Sequence, residues 1–188
     1  MKKVLAVVLA VSFVCVGAIN ADAQTPNVQV YFDQNLSQTQ GLCAGAGVLS
    51  QAYVVANNFN SWLTAMEFGV VYPPSMAWLT DVMPPEGVAN GWLSLGTTPL
   101  GLALSFPLPV NAFVPALVQQ VLFTWTCDTC DGHLNDPLIV VPHQVTGFIR
   151  GVQWPTNVLI PAIGQTSLVC ADVPVEKKTW GGIKALYE

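Results

Sequence analysis

The sequence predicts an all-β fold, an antiparallel β-sandwich of the jelly-roll kind, and three observations carry that expectation. Over residues 62–72, Trp62, Thr64, Met66, Phe68, Val70 and Tyr72 alternate with Leu63, Ala65, Glu67, Gly69 and Val71, which is the period of a strand. Short apolar runs recur along the rest of the chain at strand length. Between them stand turn formers: Asn57-Asn58, Pro73-Pro74, Pro84-Pro85-Glu86-Gly87, Asp131-Gly132 and Asn135-Asp136-Pro137.

Taken in order, the chain opens with a segment of another kind. Met1, Lys2 and Lys3 are followed by an almost unbroken apolar run over 4–19 and by Ala21-Asp22-Ala23. This is the layout of a secretory signal peptide, 1–23, cleaved before Gln24. The run is at the short end of the ~17–25 residues a membrane helix needs, so no membrane span is expected after cleavage. Ser12-Phe13-Val14 places bulky residues before Cys15, where a lipid-attachment signal wants small ones. The sandwich domain is expected over 24–172 and a separate tail over 173–188. Strands are predicted at 28–33, 51–57, 62–72, 76–80, 88–95, 100–106, 116–125, 138–143, 147–152 and 167–170. Met66, Phe68, Val70, Leu122 and Trp125 are predicted to be buried between the sheets, and Trp62 is read as core as well.

Composition bounds the function. The chain is 52% hydrophobic and 9% charged, with a net charge of -5, against about 25% charged residues in an average domain. Disorder is excluded, and so is nucleic-acid binding, because no basic run exists to neutralise phosphates. Residues 87–127 carry no charge at all. Pro99, Pro107, Pro109 and Pro115 interrupt that stretch, which argues against a membrane helix or a long membrane-barrel strand. So weakly charged a surface is expected either to be kept in solution by hydroxyl and amide groups or to be covered in part by a partner.

Export sets the cysteine chemistry. After cleavage Cys43, Cys127, Cys130 and Cys170 remain, an even number in an oxidising compartment, and two disulfides are expected. The pairing anticipated is Cys43 with Cys170, tying the ends of the body, and Cys127 with Cys130, closing a small loop. The competing chemistry is zinc on Cys127, Cys130, His133 and His143, which export disfavours.

Residues 63–74, Leu-Thr-Ala-Met-Glu-Phe-Gly-Val-Val-Tyr-Pro-Pro, are followed by Trp78-Leu79-Thr80-Asp81-Val82, a strand to Phe106, and Pro115 to Trp125. Together they resemble the central strands of cohesin-like domains, in which an alternating strand ends in Tyr-Asp-Pro; here Pro73 replaces the Asp. The resemblance spans residues 50–126 and implies the jelly-roll sandwich without bringing a dockerin partner with it. The Cys-bounded body with its tail Thr-Trp-Gly-Gly-Ile-Lys-Ala-Leu-Tyr, 179–187, is also similar to small secreted bacterial proteins with such a tail.

Catalytic signatures are missing: there is no Gly-x-Ser-x-Gly, no His-Glu-x-x-His and no Gly-x-Gly-x-x-Gly. Glu67 with Asp81 or Glu86 is the pair a glycosidase would need, and strand and turn positions explain all three more simply. No catalytic residue, cofactor or resident metal is therefore expected, although Asp128, Asp131, Asn135 and Asp136 gather oxygen ligands of the kind calcium takes. Trp78, Trp92 and Trp154 are the candidates for an exposed glycan platform. In the tail Thr179 can cap a short helix, weakened by Gly181-Gly182, whose Trp180, Ile183 and Tyr187 share a face; the segment is expected either to fold back onto the sandwich or, with Leu186, to supply candidate anchors for a protein partner. The reading that follows is a secreted, non-catalytic binding or structural module, periplasmic, at the cell surface or extracellular. Its alternatives are a carbohydrate-binding module and a self-assembling surface or filament subunit.

Overall fold

The structure, a computed structural model, describes residues 24–170. The signal-peptide assignment and the tail anchors Trp180, Ile183, Leu186 and Tyr187 lie outside the described residues. Thirteen strands and one short helix are described in chain order: β1 (Asn27–Tyr31), β2 (Gln40–Gly41), β3 (Leu49–Asn57), β4 (Trp62–Val71), β5 (Met76–Val82), α1 (Pro85–Ala89), β6 (Leu93–Thr97), β7 (Gly101–Asn111), β8 (Ala116–Trp125), β9 (Asp136–Val141), β10 (Arg150–Trp154), β11 (Leu159–Pro161), β12 (Ile163–Gly164) and β13 (Thr166–Val169).

They form two sheets. Sheet one runs β12-β1-β3-β8-β5; sheet two runs β11-β10-β4-β9-β13-β2, with β7 paired to β4 and β6 to β7. Inward residues of both close the core, among them Val54, Val121 and Phe123 from sheet one and Phe68, Leu102 and Leu138 from sheet two. Met66, Phe68, Val70 and Trp125 are buried as predicted. Leu122 is not, because it has the opposite parity on β8 from Val121, Phe123 and Trp125, and a strand turns alternate residues to alternate faces. Among the described residues no helix is long and apolar enough to cross a membrane.

The predicted strand at 88–95 divides in two. Pro84 and Pro85 start α1, Glu86 sits in its first turn, and Gly91 at φ 66° reverses the chain before β6. That turn carries Trp92 inward against Phe106, with ring centroids 4.6 Å apart.

The last described strands, β12 and β13, belong to different layers. Ile163 and Gly164 pair in parallel with Asn27 and Val28 in sheet one. Gln165 then donates its N–H to Val28 O at 2.9 Å and accepts that of Val140 at 3.1 Å, and β13 continues in sheet two. Gly164 lies against the Val140 backbone where no Cβ fits.

The disulfide expectation is half corrected: there are two, but they join Cys43 to Cys127, with Cα atoms 6.3 Å apart, and Cys130 to Cys170, at 5.3 Å. Neither Cys43–Cys170 nor Cys127–Cys130 forms. Strand pairing explains the choice. β13 runs antiparallel to β9, and Asn135 N–H donates to Cys170 O, so Cys170 arrives beside the loop that holds Cys130. Backbone hydrogen bonds between residues 47–48 and Trp125 likewise hold the segment after Cys43 against the end of β8, next to Cys127. The two loops, with sequence separations of 84 and 40, each constrain the unfolded chain by ~4 kcal/mol in the loop-entropy picture.

Candidate functional site

Exposed apolar side chains and an ion pair meet on the outer face of sheet two. Along β4, Leu63, Met66, Phe68 and Val70 point inward, and the register slips at Thr64, where β10 advances one residue while β4 advances two. The slip turns Trp62 outward, so its expected place in the core is corrected: it is 42% exposed.

Cross-strand register then arranges the outward residues in rows. One row reads Leu95, Ala103, Glu67, Arg150 and Pro161 across β6, β7, β4, β10 and β11. The next reads Leu93, Ser105, Ala65, Val152 and Leu159. A third, shorter row reads Asn111, Trp62 and Trp154. Leu93 and Leu95 are 67% and 78% exposed, on a strand that among the described residues pairs only with β7. Small residues at Ala65 and Ala103 leave a dip of about 150 Å³ lined also by Glu67, Arg150, Val152 and Leu159.

Among the described residues Glu67 and Arg150 are the only ion pair on this face. They are register partners and form an ion pair. Thr146 Oγ1 donates to Glu67 Oε1 at 2.9 Å, and the Arg150 guanidinium lies over the Phe148 ring, 4.8 Å from its centroid. Arg150 is the only Lys or Arg within 24–170, and this pairing leaves the face neutral.

The carboxylates weighed for catalysis do not meet. Glu67 stands on β4 in sheet two, while Asp81 stands on β5 in sheet one and accepts hydrogen bonds from Thr98 N–H and Thr98 Oγ1, both at 2.7 Å, and from Trp78 Nε1 at 3.3 Å. Glu86 lies in the first turn of α1. In the 127–136 loop Asp128 accepts the Ala46 N–H, Asp131 accepts Thr129 Oγ1, and Asp136 bonds His133. Among the described residues no three His, Cys, Asp or Glu side chains converge as a metal set. The sulfurs of Cys127 and Cys130 are taken up in disulfides, which removes the zinc set considered from the sequence.

One of the three expected glycan-platform tryptophans is corrected, and a second is partly buried. Trp92 is buried beneath α1, where Gly87 leaves room for its ring. Trp78 packs against the core on sheet one. Trp154 is 49% exposed and stands directly opposite Trp62. Sequence reading missed Trp62, Leu93, Leu95 and Leu159 as a surface; the only local hint was the Leu-Ser-Leu alternation opposite the small residues of β7.

Electrostatics elsewhere are structural. Tyr72, partly buried just after β4, has its hydroxyl pushed well above the ordinary range by desolvation, with the Thr98 hydrogen bond lowering it and Asp81 raising it. At Asp33 burial pushes upward, but hydrogen bonds from Gln38 and Ser37 outweigh it and hold the carboxyl below its ordinary value.

No protein-family model matches the chain, and no curated protein matches it in sequence. Its fold is similar to solved cohesin modules. The third ScaB cohesin of R. flavefaciens, in complex with a group 1 dockerin, aligns at TM-score 0.52 and 12% identity, over 80% of this chain and 99% of that one. A type II cohesin domain from the cellulosome of Acetivibrio cellulolyticus aligns at 0.51 and 12%, over 78% and 95%. The Coh-OlpC–Doc435 complex, a type I cohesin–dockerin complex from Clostridium thermocellum, aligns at 0.50 and 11%, over 79% and 95%. At these identities the likeness is one of fold, a cohesin-type jelly-roll sandwich.

Proposed function

We propose that this chain is a non-catalytic, exported protein-docking module and that its partner binds the outer face of β6, β7, β4, β10 and β11. One observation carries the reading: register gathers Leu93, Leu95, Ala103, Ala65, Val152 and Leu159 on a single exposed, neutral sheet face. Contiguous exposed apolar area of this kind marks interaction surfaces. Cohesins of the same fold that were solved with dockerins support a protein partner, and two disulfides support an oxidising location outside the cytoplasm. The Glu67–Arg150 pair sets specificity within the face, because a partner must leave its polar edges satisfied or supply better ones.

The test is charge insertion. Leu93→Glu with Leu95→Glu leaves the melting temperature close to that of the parent, since both side chains are exposed, and weakens a partner captured from the native secretion and then purified by roughly 100-fold or more. A partner that binds the double variant as tightly as the parent overturns the proposal. A second reading, self-assembly, is favoured by the charge content, seven acidic residues and one Arg within 24–170. In that case the same double variant abolishes concentration-dependent sedimentation of the chain alone.

A further inference from the structure

We propose that Trp62 and Trp154 form a stacking platform for the sugar rings of a neutral, unbranched polysaccharide. The inference does not rest on the docking proposal. Five tryptophans lie within the described residues, and three are committed to the fold. The Trp125 N–H donates to Ser50 Oγ at 2.8 Å and its ring packs edge-on to Phe123. Trp78 is tied to Asp81, and Trp92 is buried against Phe106. Trp62 and Trp154 differ in each respect. Both rings are about half exposed, and among the described residues neither makes a ring contact and neither indole N–H has a hydrogen-bond partner.

Their placement is not incidental to the strand pairing. Trp154, the last residue of β10, is the register partner of Trp62, the first residue of β4, so both side chains leave the same sheet face on strands ~4.8 Å apart. That spacing is comparable to the length of one pyranose, and two indoles side by side meet successive rings of a chain lying across the strands. The apolar C–H face of a sugar packs on an aromatic face, while indole N–H groups donate to its hydroxyls.

The surroundings select a neutral ligand. Asn111 extends the row on β7; its Oδ1 accepts the Phe113 N–H, which leaves its amide Nδ2 to donate outward. Thr156 Oγ1 holds Gln153 Oε1 at 3.1 Å beside Trp154. Along these strands the first charges are Arg150 and Glu67, four and five residues away, or ~13–16 Å, and they neutralise each other. With no carboxylate at hand the pair is not built as a cation cage. A cavity of about 640 Å³ between the 37–44 segment and the ends of β3 and β8 is lined by aromatic rings, but Phe123 there is fully buried, Phe32 packs edge-on to it with ring centroids 6.4 Å apart, and the Trp125 N–H is occupied. It offers no free ring of this kind.

The experiment is titration of the purified full chain with cellohexaose, xylohexaose and mannohexaose, and with heparin as the charged probe, read by calorimetry and tryptophan fluorescence. At least one neutral hexasaccharide binds with Kd below about 1 mM, Trp62→Ala and Trp154→Ala each weaken it by on the order of tenfold, and Trp154→Tyr retains most of it. Leu93→Glu with Leu95→Glu leaves the sugar binding unchanged, which keeps this result separate from the docking test. Silence toward all three neutral sugars, preference for heparin, or binding untouched by both alanine variants overturns the proposal. Both side chains are exposed, so unchanged melting curves of the variants confirm that a loss is local.

Discussion

Asp81→Ala is the substitution whose cost the structure defines most closely. Asp81 on β5 of sheet one accepts two 2.7 Å hydrogen bonds from Thr98, which follows β6 in sheet two and is fully buried. Thr98 has a single hydroxyl proton and gives it to the carboxylate, so the Tyr72 hydroxyl, 2.7 Å away, is the donor in their contact. The three residues form a directed chain, Tyr72 to Thr98 to Asp81, that clamps the edge of one layer to a turn of the other. Removal of the carboxylate strands the Thr98 backbone N–H in a dry site, at ~2 kcal/mol. The hydroxyl turns onto Tyr72 and recovers part of its bond, so its share is ~1 kcal/mol, and the 3.3 Å contact from Trp78 adds little. The expected loss is about 3 kcal/mol. Urea unfolding measures it: with a slope of ~1.5 kcal/mol/M, the midpoint falls by ~2 M at unchanged slope. A loss below ~1 kcal/mol would show that water reaches Thr98 and that the clamp is not closed, which refutes the reasoning.

Three further outcomes are expected. Proteolysis without reduction yields linked peptides containing Cys43 with Cys127 and Cys130 with Cys170; a peptide joining Cys43 to Cys170 contradicts the fold. The raised Tyr72 means that the folded chain holds that proton more tightly than the unfolded one, so its contribution is intact below pH 10 and declines above it, by up to ~1.4 kcal/mol per pH unit. Melting temperatures from pH 8 upward should therefore fall less steeply for Tyr72→Phe than for the parent, and parallel curves would exclude the effect. Gly164→Ala drives a methyl group into the Val140 backbone and should cost about 3 kcal/mol or more, or prevent folding; a variant that melts like the parent would mean the layers are not in contact there.

What could be read from the sequence was what one strand reveals about itself. Met66, Phe68 and Val70 share a face because they alternate, and the turn residues between apolar runs mark out a succession of short strands. What could not be read depended on pairing between distant segments. Trp62 alternates in step with Met66, and only the slip of β4 against β10 at Thr64 puts it on the opposite face. Leu122 was placed inward although it is three residues from Trp125, a parity conflict that alternation alone should have caught. Cys127 and Cys130 are neighbours in sequence, yet sheet pairing brings each a different distant partner. The row that runs from Leu95 through Glu67 to Pro161 joins five strands drawn from a stretch of 95 positions, residues 67–161, and leaves no local trace.

The two disulfides share the short segment between Cys127 and Cys130, and this determines how the protein would bear a load. If tension pulls on Gln24 and Cys170, covalent bonds carry it from Cys43 straight to Cys127 and from Cys130 straight to Cys170. Residues 44–126 and 131–169 are closed loops outside that path and cannot pay out. Only nineteen peptide links before Cys43 and three between Cys127 and Cys130 can lengthen, roughly 80 Å of chain against the ~500 Å that residues 24–170 would reach if extended. An oxidised domain is thus a nearly inextensible tether, and a reduced one is a long spring.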